Sequence, residues 1–147
     1  MESQLAGDPE LLDRIKEHEG YRRFCYECTM GGITVGYGTL IEAGGHGIPE
    51  YIAELLLRDY LQTIESRLKA HGWFMRLNEP RQHCIMEMAY QMGVEGVLGF
   101  QNMIAALERG DWESVETEAL DSRWAKQTPA RAGDVASRLR AGEHSSC

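Results

Sequence analysis

Hydrophobic positions recur at helical spacing over most of the chain and alternate with polar ones over one short stretch near its start. Asp8-Pro9-Glu10 reads as a helix start, with Asp as N-cap and Pro at the first helical position. Leu12, Ile15 and Glu19 follow at i, i+3 and i+7 on one face, and Gly20 ends the helix. Glu19 thus closes an apolar stripe at the inner edge of its helix, where a solvated acid does not belong. Residues 21–27 and 33–37 read as two strands around a turn at Thr29-Met30-Gly31-Gly32. A glycine-rich loop, "EAGGHG", comes next. Pro49 opens a long helix to about Ala70, with Leu57, Leu61, Ile64 and Leu68 as a stripe for burial and His71-Gly72 as its stop. Further helices are predicted over 79–92, 98–108, 111–121 and 129–141, punctuated by glycines and by Pro129.

The order of elements predicts an α+β fold: a small lobe with a β-hairpin, a larger all-helical lobe, and the long helix joining them. The 147 residues suffice for a single domain with one core. The small lobe is expected at about 13–50 and the connecting helix at about 50–72. Residues 73–147 together with 1–12 make the helical lobe. A cleft between two such lobes is a common ligand site. Leu57, Leu61, Ile64 and Leu68 read as core, as do Met86, Met88, Met92, Trp112 and Trp124. Trp73 is open between core and lobe surface. The acidic "DWESVETE" reads as a solvated helix face.

Composition narrows the function classes. Apolar content of 43% and charged content of 26% are ordinary for a globular protein. No stretch approaches a membrane span, and "MESQLAGDPELLDR" lacks the apolar core of a signal peptide, so cytoplasmic accumulation is expected. The net charge of −8 argues against nucleic acid and against electrostatic adhesion to a membrane. Cys25 and Cys28 have CxxC spacing, but no second pair completes a zinc site. A redox CxxC should open a helix, whereas this pair lies in a strand and its turn. Separate thiols are the simpler reading, with Cys25 packed in the sheet and Cys147 a bystander. The five histidines show no ligand spacing, and no metal or cofactor is expected.

The stretch with chemistry to explain runs from Glu19 through eight residues to Cys28, then five more to Thr34. Glycosidic cleavage needs a proton donor for the leaving oxygen and a group on the other sugar face to hold water or steady positive charge. A carboxyl at the end of an apolar stripe is one that desolvation can keep protonated. Taken alone, the spacing is explained more simply by a capped helix and an ordinary hairpin.

The segment "IKEHEGYRRFCYECTMGGITVGYG" resembles the catalytic segment of the T-even-type phage lysozymes, glycoside hydrolase family 24, whose hallmark is Glu, eight residues, Asp or Cys, five residues, Thr. "AYQMGVEGVLGF" and "SRWAKQTPARA" continue the resemblance through most of the chain. It implies a lysozyme-like two-lobe fold and inverting cleavage, without cofactor, of the β-1,4 bond between N-acetylmuramic acid and N-acetylglucosamine. By the same resemblance Glu19 is the general acid, Cys28 stands where the second carboxylate usually does, and Thr34 contacts the attacking water. Arg131 pairs with the catalytic glutamate, Gln91 interacts with Trp124, and Leu40 and Tyr90 line the cleft near the sugar chain. The implied setting is a monomeric endolysin acting on peptidoglycan glycan strands, made in the host cytoplasm and reaching the wall after a holin opens the membrane. A lytic transglycosylase and a non-catalytic wall-binding module are the alternatives.

Three features depart from the family. A free thiol titrates at about 8.5, so Cys28 is mostly neutral at pH 7 and orients water or serves as a partly ionised base. The glycine loop at 42–47 stands in place of a helix-bearing insertion. The chain is acidic where well-known members are basic, so attraction to an anionic wall is weak. Lytic activity is therefore expected to change little between low and moderate salt. A turbidity assay that shows a steep fall over that range contradicts the expectation.

Overall fold

The computed structural model describes residues 6–27 and 31–143. The chain forms two compact units, Met1–Ala53 and Glu54–Cys147. The observed architecture is α+β: eight helices and one three-stranded antiparallel sheet among the described residues.

Unit 1 opens with α1 (Pro9–Glu19). The Asp8 carboxylate accepts from the backbone N–H groups of Glu10 at 2.9 Å and Leu11 at 3.2 Å, satisfying two donors that a helix start leaves open. The sheet follows in the order β1 (Arg22–Glu27), β2 (Ile33–Gly36) and β3 (Thr39–Leu40). Thr34 on the middle strand pairs with Tyr26 on one side and Leu40 on the other. β3 has only two residues, too short to show alternation in the sequence.

Two expectations for this unit are corrected. The stripe of α1 is not buried: Leu12 is 40% and Ile15 46% exposed, Glu19 is exposed, and no residue of the helix is buried. Among its described residues only Gly32 and Thr34 are buried, because about fifty residues with three short strands enclose too little volume for a core. Cys25 was expected to pack in the sheet but is exposed. It lies on an edge strand, where only Tyr26 is even partly covered. Part of the expected turn at 29–32, together with Cys28 and Cys147, lies outside the described residues.

The helix α2 (Glu50–Leu68) begins at the end of unit 1 and runs on into unit 2. Ile64 and Leu68 are buried and Leu61 is partly so, but Leu57 is exposed, so only the later half of its stripe is core. The short helix α3 (Gly72–Met75) follows, unexpected from the sequence, and puts Trp73 and Phe74 into the core. Next comes α4 (Glu79–Leu98), capped by the Asn78 side chain. Gly93 at φ 83° breaks it into two helical runs, which is where the periodicity of 79–92 stops. The remaining helices are α5 (Gln101–Arg109), α6 (Trp112–Leu120), α7 (Arg123–Gln127) and α8 (Pro129–Ala141). Of these four, only α7 escapes the sequence reading. Ser122 caps it by accepting from the Ala125 N–H at 3.1 Å. The core gathers Ile85, Met88, Val97, Met103, Val115 and Leu139, with Trp124 buried and Trp112, Met86 and Met92 packed at its margin.

Two arginines tie α4 to α8. Arg81 is buried and donates from Nε to the Leu139 carbonyl at 2.7 Å and from Nη2 to the Arg140 carbonyl at 2.9 Å. Its guanidinium lies 3.6 Å from the Trp112 ring centroid. It neutralises the carbonyl end of α8, where a cation is favoured, although burial pulls its pKa below the ordinary arginine value. Arg138 binds both Glu87 carboxylate oxygens, at 2.6 and 2.8 Å, and Asp134 at 2.9 Å. The bond to Glu87 is the main reason its pKa stands above the ordinary value.

Beneath this seam lies Cys84, fully buried. Burial pushes its thiol up to about 11, with the Arg138 cation opposing. In a Cys28→Ser, Cys147→Ser variant, a disulfide exchange reagent at pH 8 should therefore titrate one thiol at once, Cys25, and Cys84 only after unfolding. Two fast thiols in the native protein would contradict this packing.

Candidate active site

Of the residues singled out in the sequence, three of the described ones, Glu19, Thr34 and Leu40, fall in unit 1. Glu19 ends α1, and its side chain lies against the turn between β2 and β3. A Cβ built on Gly38 would sit 2.5 Å from Glu19 Oε2 and 3.1 Å from the carboxyl carbon. The carboxylate thus fills the space that any side chain at position 38 would need. Gly38 also has φ +75°, a conformation L residues adopt only with strain. Thr34 is buried on the middle strand and donates its hydroxyl to the Tyr26 carbonyl at 3.4 Å, a long bond that leaves its oxygen able to accept. Leu40, partly buried, is its neighbour on β3. One small sheet therefore carries Thr34 and Leu40 and meets the Glu19 carboxylate at its turn. Cys28 lies outside the described residues.

Tyr90 and Arg131 fall in unit 2. Tyr90 is exposed on α4, its ring edge-on to Tyr60 of α2 with centroids 5.6 Å apart. Arg131 is exposed in the first turn of α8. The chain near both is fixed by a closed circuit of hydrogen bonds. Trp124 Nε1 donates to Gln91 Oε1 at 2.8 Å. Gln91 Nε2 donates to Thr128 Oγ1 at 3.4 Å, and that hydroxyl donates to the Trp124 carbonyl at 3.0 Å. The interaction of Gln91 with Trp124 expected from the sequence is present, and Thr128 completes it. Beside this circuit opens a hollow of about 480 Å³ whose lining includes Gln91, Phe100, Asn102, Glu118, Trp124 and Gln127. Its carboxamides and carboxylate can meet hydroxyl and amide groups, and its aromatic rings can cover apolar ones. Among the described residues, no group of three or more His, Cys, Asp or Glu is placed to hold a metal ion.

The phage lysozyme family profile matches residues 16–141, a span that contains Glu19, Cys28, Thr34, Leu40, Tyr90 and Arg131. The chain belongs to the phage lysozyme family. Among curated proteins it is 37% identical to the pre-baseplate central spike protein Gp5 of Enterobacteria phage T4, over 85% of this chain and 26% of that one. It is 28% identical to Probable T4-type lysozyme 1 of Dictyostelium discoideum, over 90% of this chain and 94% of that one. To peptidoglycan hydrolase gp36 of Pseudomonas phage phiKMV it is 26% identical, over 80% of this chain and 14% of that one. The chain thus aligns with about a quarter of the spike protein's length and with nearly all of the Dictyostelium protein.

Within this phage lysozyme chain, the spacing pointed to Glu19 and Thr34 but gave Gly38 and Thr128 no part. Both stand in motifs, "TVGYG" and "QTPAR". A motif does not disclose that a carboxylate needs the room of an absent Cβ, or that a hydroxyl closes a circuit with residues far away in sequence.

The seat of Glu19 gives a test. Gly38→Ala should lower turnover by about 10²-fold, because it displaces the carboxylate by about an ångström. Gly44→Ala is the control: its φ is +88°, but nothing lies within 4 Å of the new Cβ. It should share the backbone strain and keep activity. Equal losses in both variants, measured beside their melting temperatures, would mean that strain rather than displacement governs position 38.

Proposed function

We propose that this lysozyme-family enzyme is a muramidase that hydrolyses the β-1,4 bond between N-acetylmuramic acid and N-acetylglucosamine in peptidoglycan, with inversion. Glu19 protonates the leaving oxygen. Thr34 and Cys28 position the attacking water, Arg131 pairs with Glu19 and orients it, and Leu40 and Tyr90 contact the glycan. The observation that carries this reading is the seating of the Glu19 carboxylate against Gly38, on the same small sheet that holds the Thr34 hydroxyl. Family membership over residues 16–141 supports the substrate class, as do relatives named lysozyme and peptidoglycan hydrolase.

The mechanism asks little more of the protein than placement. Inversion needs an acid on one face of the sugar and, on the other, a held water whose proton passes to a base as it attacks; the thiolate fraction of Cys28 takes that proton. A neutral thiol at position 28 can accept a weak hydrogen bond from water but adds no full negative charge. Thr34 then carries more of the task of holding that water.

The chain acts as a monomer on glycan strands. It is made in the host cytoplasm and reaches the wall after a holin opens the membrane. Among the described residues no helix is long and apolar enough to cross a membrane. The 37% identity to a central spike protein favours a second setting, in which the chain acts as part of a spike assembly. Its presence in purified virions by mass spectrometry would support the second setting, and its restriction to the soluble lysate the first.

Release of reducing ends from purified peptidoglycan tests the chemistry. Glu19→Gln should lose about 10²–10⁴ of the rate. Cys28→Asp should keep activity and Cys28→Ala should lose much of it. Full turnover in Cys28→Ala would remove the thiol from the mechanism. Anhydro-sugar products would replace hydrolysis by transglycosylation, and wall binding without any released ends would mark a non-catalytic module.

A further inference from the structure

Two tyrosines stand beside the Glu19 seat with no part in the chemistry above. Tyr37 immediately precedes Gly38 in the β2–β3 turn and is 42% exposed, and Tyr21, two residues after Glu19, is 62% exposed. Their ring centroids lie 5.7 Å apart with planes at 52°. The ammonium of Lys16 sits 5.5 Å from the Tyr37 centroid. Lys16 and Glu19 are three residues apart on α1 and share a face. That face meets the turn at consecutive positions, Lys16 at the Tyr37 ring and Glu19 at Gly38.

Single exposed apolar residues are ordinary, but rings in mutual contact form a patch. This patch is held in place, because a cation and a second ring fix the orientation of Tyr37. It is also continuous with the carboxylate proposed to act on the glycan. We infer that Tyr37 and Tyr21 form a stacking platform that seats one pyranose ring of the glycan strand beside Glu19. This rests on the muramidase reading and adds a substrate-binding subsite to it.

The chemistry of the occupant follows from the rings. A β-linked N-acetyl pyranose holds its hydroxyl and acetamido groups around its rim and presents C–H groups on its faces. Those weakly positive C–H groups meet the negative face of an aromatic ring, while the rim groups stay in water. A nucleobase would also stack, but the net charge of −8 opposes a polyphosphate chain. The tyrosine hydroxyls are not required for such stacking, so the platform should tolerate Phe and fail with Ala.

The test uses the full chain with two probes. One is soluble peptidoglycan fragments, for KM and kcat. The other is an N-acetylglucosamine pentamer, for affinity by calorimetry in a Glu19→Gln background that cannot turn it over. Tyr37→Ala should raise KM and weaken pentamer binding by about tenfold, the worth of one good aromatic contact, with kcat changed less than about threefold. Tyr37→Phe should restore both values, and Tyr21→Ala should show a smaller effect of the same kind. If Tyr37→Ala does not fold, Tyr21→Ala and Tyr37→Trp carry the same comparison.

Unchanged KM and pentamer affinity in both alanine variants would overturn the platform while leaving the muramidase reading intact. So would a Phe variant as impaired as Ala, or a dimer in sedimentation that Tyr37→Ala dissolves. Should the wild type release no reducing ends, the muramidase reading fails by itself. Pentamer binding lost in Tyr37→Ala would still support the platform, and its retention would overturn it.

Discussion

One face of α4 decides where α7 and α8 lie. Arg81, Glu87 and Gln91 project from it at intervals and meet α8 and α7 in reverse order: Arg81 at the carbonyls of Leu139 and Arg140, Glu87 at Arg138, Gln91 at Trp124 and Thr128. Apolar packing alone would let two helices slide by a turn, because one aliphatic contact resembles the next. A buried guanidinium that slides loses both carbonyls at once, and an unmade charged hydrogen bond costs roughly 1–3 kcal/mol or more. The polar contacts therefore set the register and the apolar core supplies the driving force. Tyr90 and Arg131 inherit their positions from this seam, since each lies within three residues of one of its members.

Unit 1 is organised differently. It buries almost nothing, so its geometry rests on local devices: the Asp8 cap, the antiparallel ladder, and the missing Cβ at Gly38. Segments with few buried contacts open easily, and binding surfaces are often drawn from them. The contrast is between a helical unit held by a packed core and a small unit that places the Glu19 carboxylate and the Thr34 hydroxyl through local contacts.

Much of this was legible in the sequence wherever local chemistry decides structure. Asp8-Pro9, Gly93 and Thr128-Pro129 act through their own dihedrals and hydrogen bonds, so helix starts and breaks could be read directly. The short helices α3 and α7 could not, because five residues or fewer show no periodicity. Burial was less legible than secondary structure. The α1 stripe has the right spacing but no core beneath it, and Cys25 looks apolar but lies on an edge strand. Arg81 is the converse, a charged residue buried because two carbonyls and Trp112 receive it. The candidate site was legible as spacing and as a family pattern. The absent side chain that seats its carboxylate was not.

The exposure of α1 bears on how the proposed acid works. Burial within its own helix stripe would have kept water from Glu19 before any substrate arrived, and the fold does not provide it. Water must then leave as the glycan binds, and a sugar ring seated at Tyr37, the residue before Gly38, would displace water beside the carboxylate. Under the proposed mechanism the exposed aromatic pair and the exposed acid would act together, with bound substrate completing a low-dielectric site. A thiol at position 28 fits the same logic. A fixed second carboxylate would strengthen the hold of water on the site, whereas a largely neutral group leaves less hydration for the incoming glycan to displace.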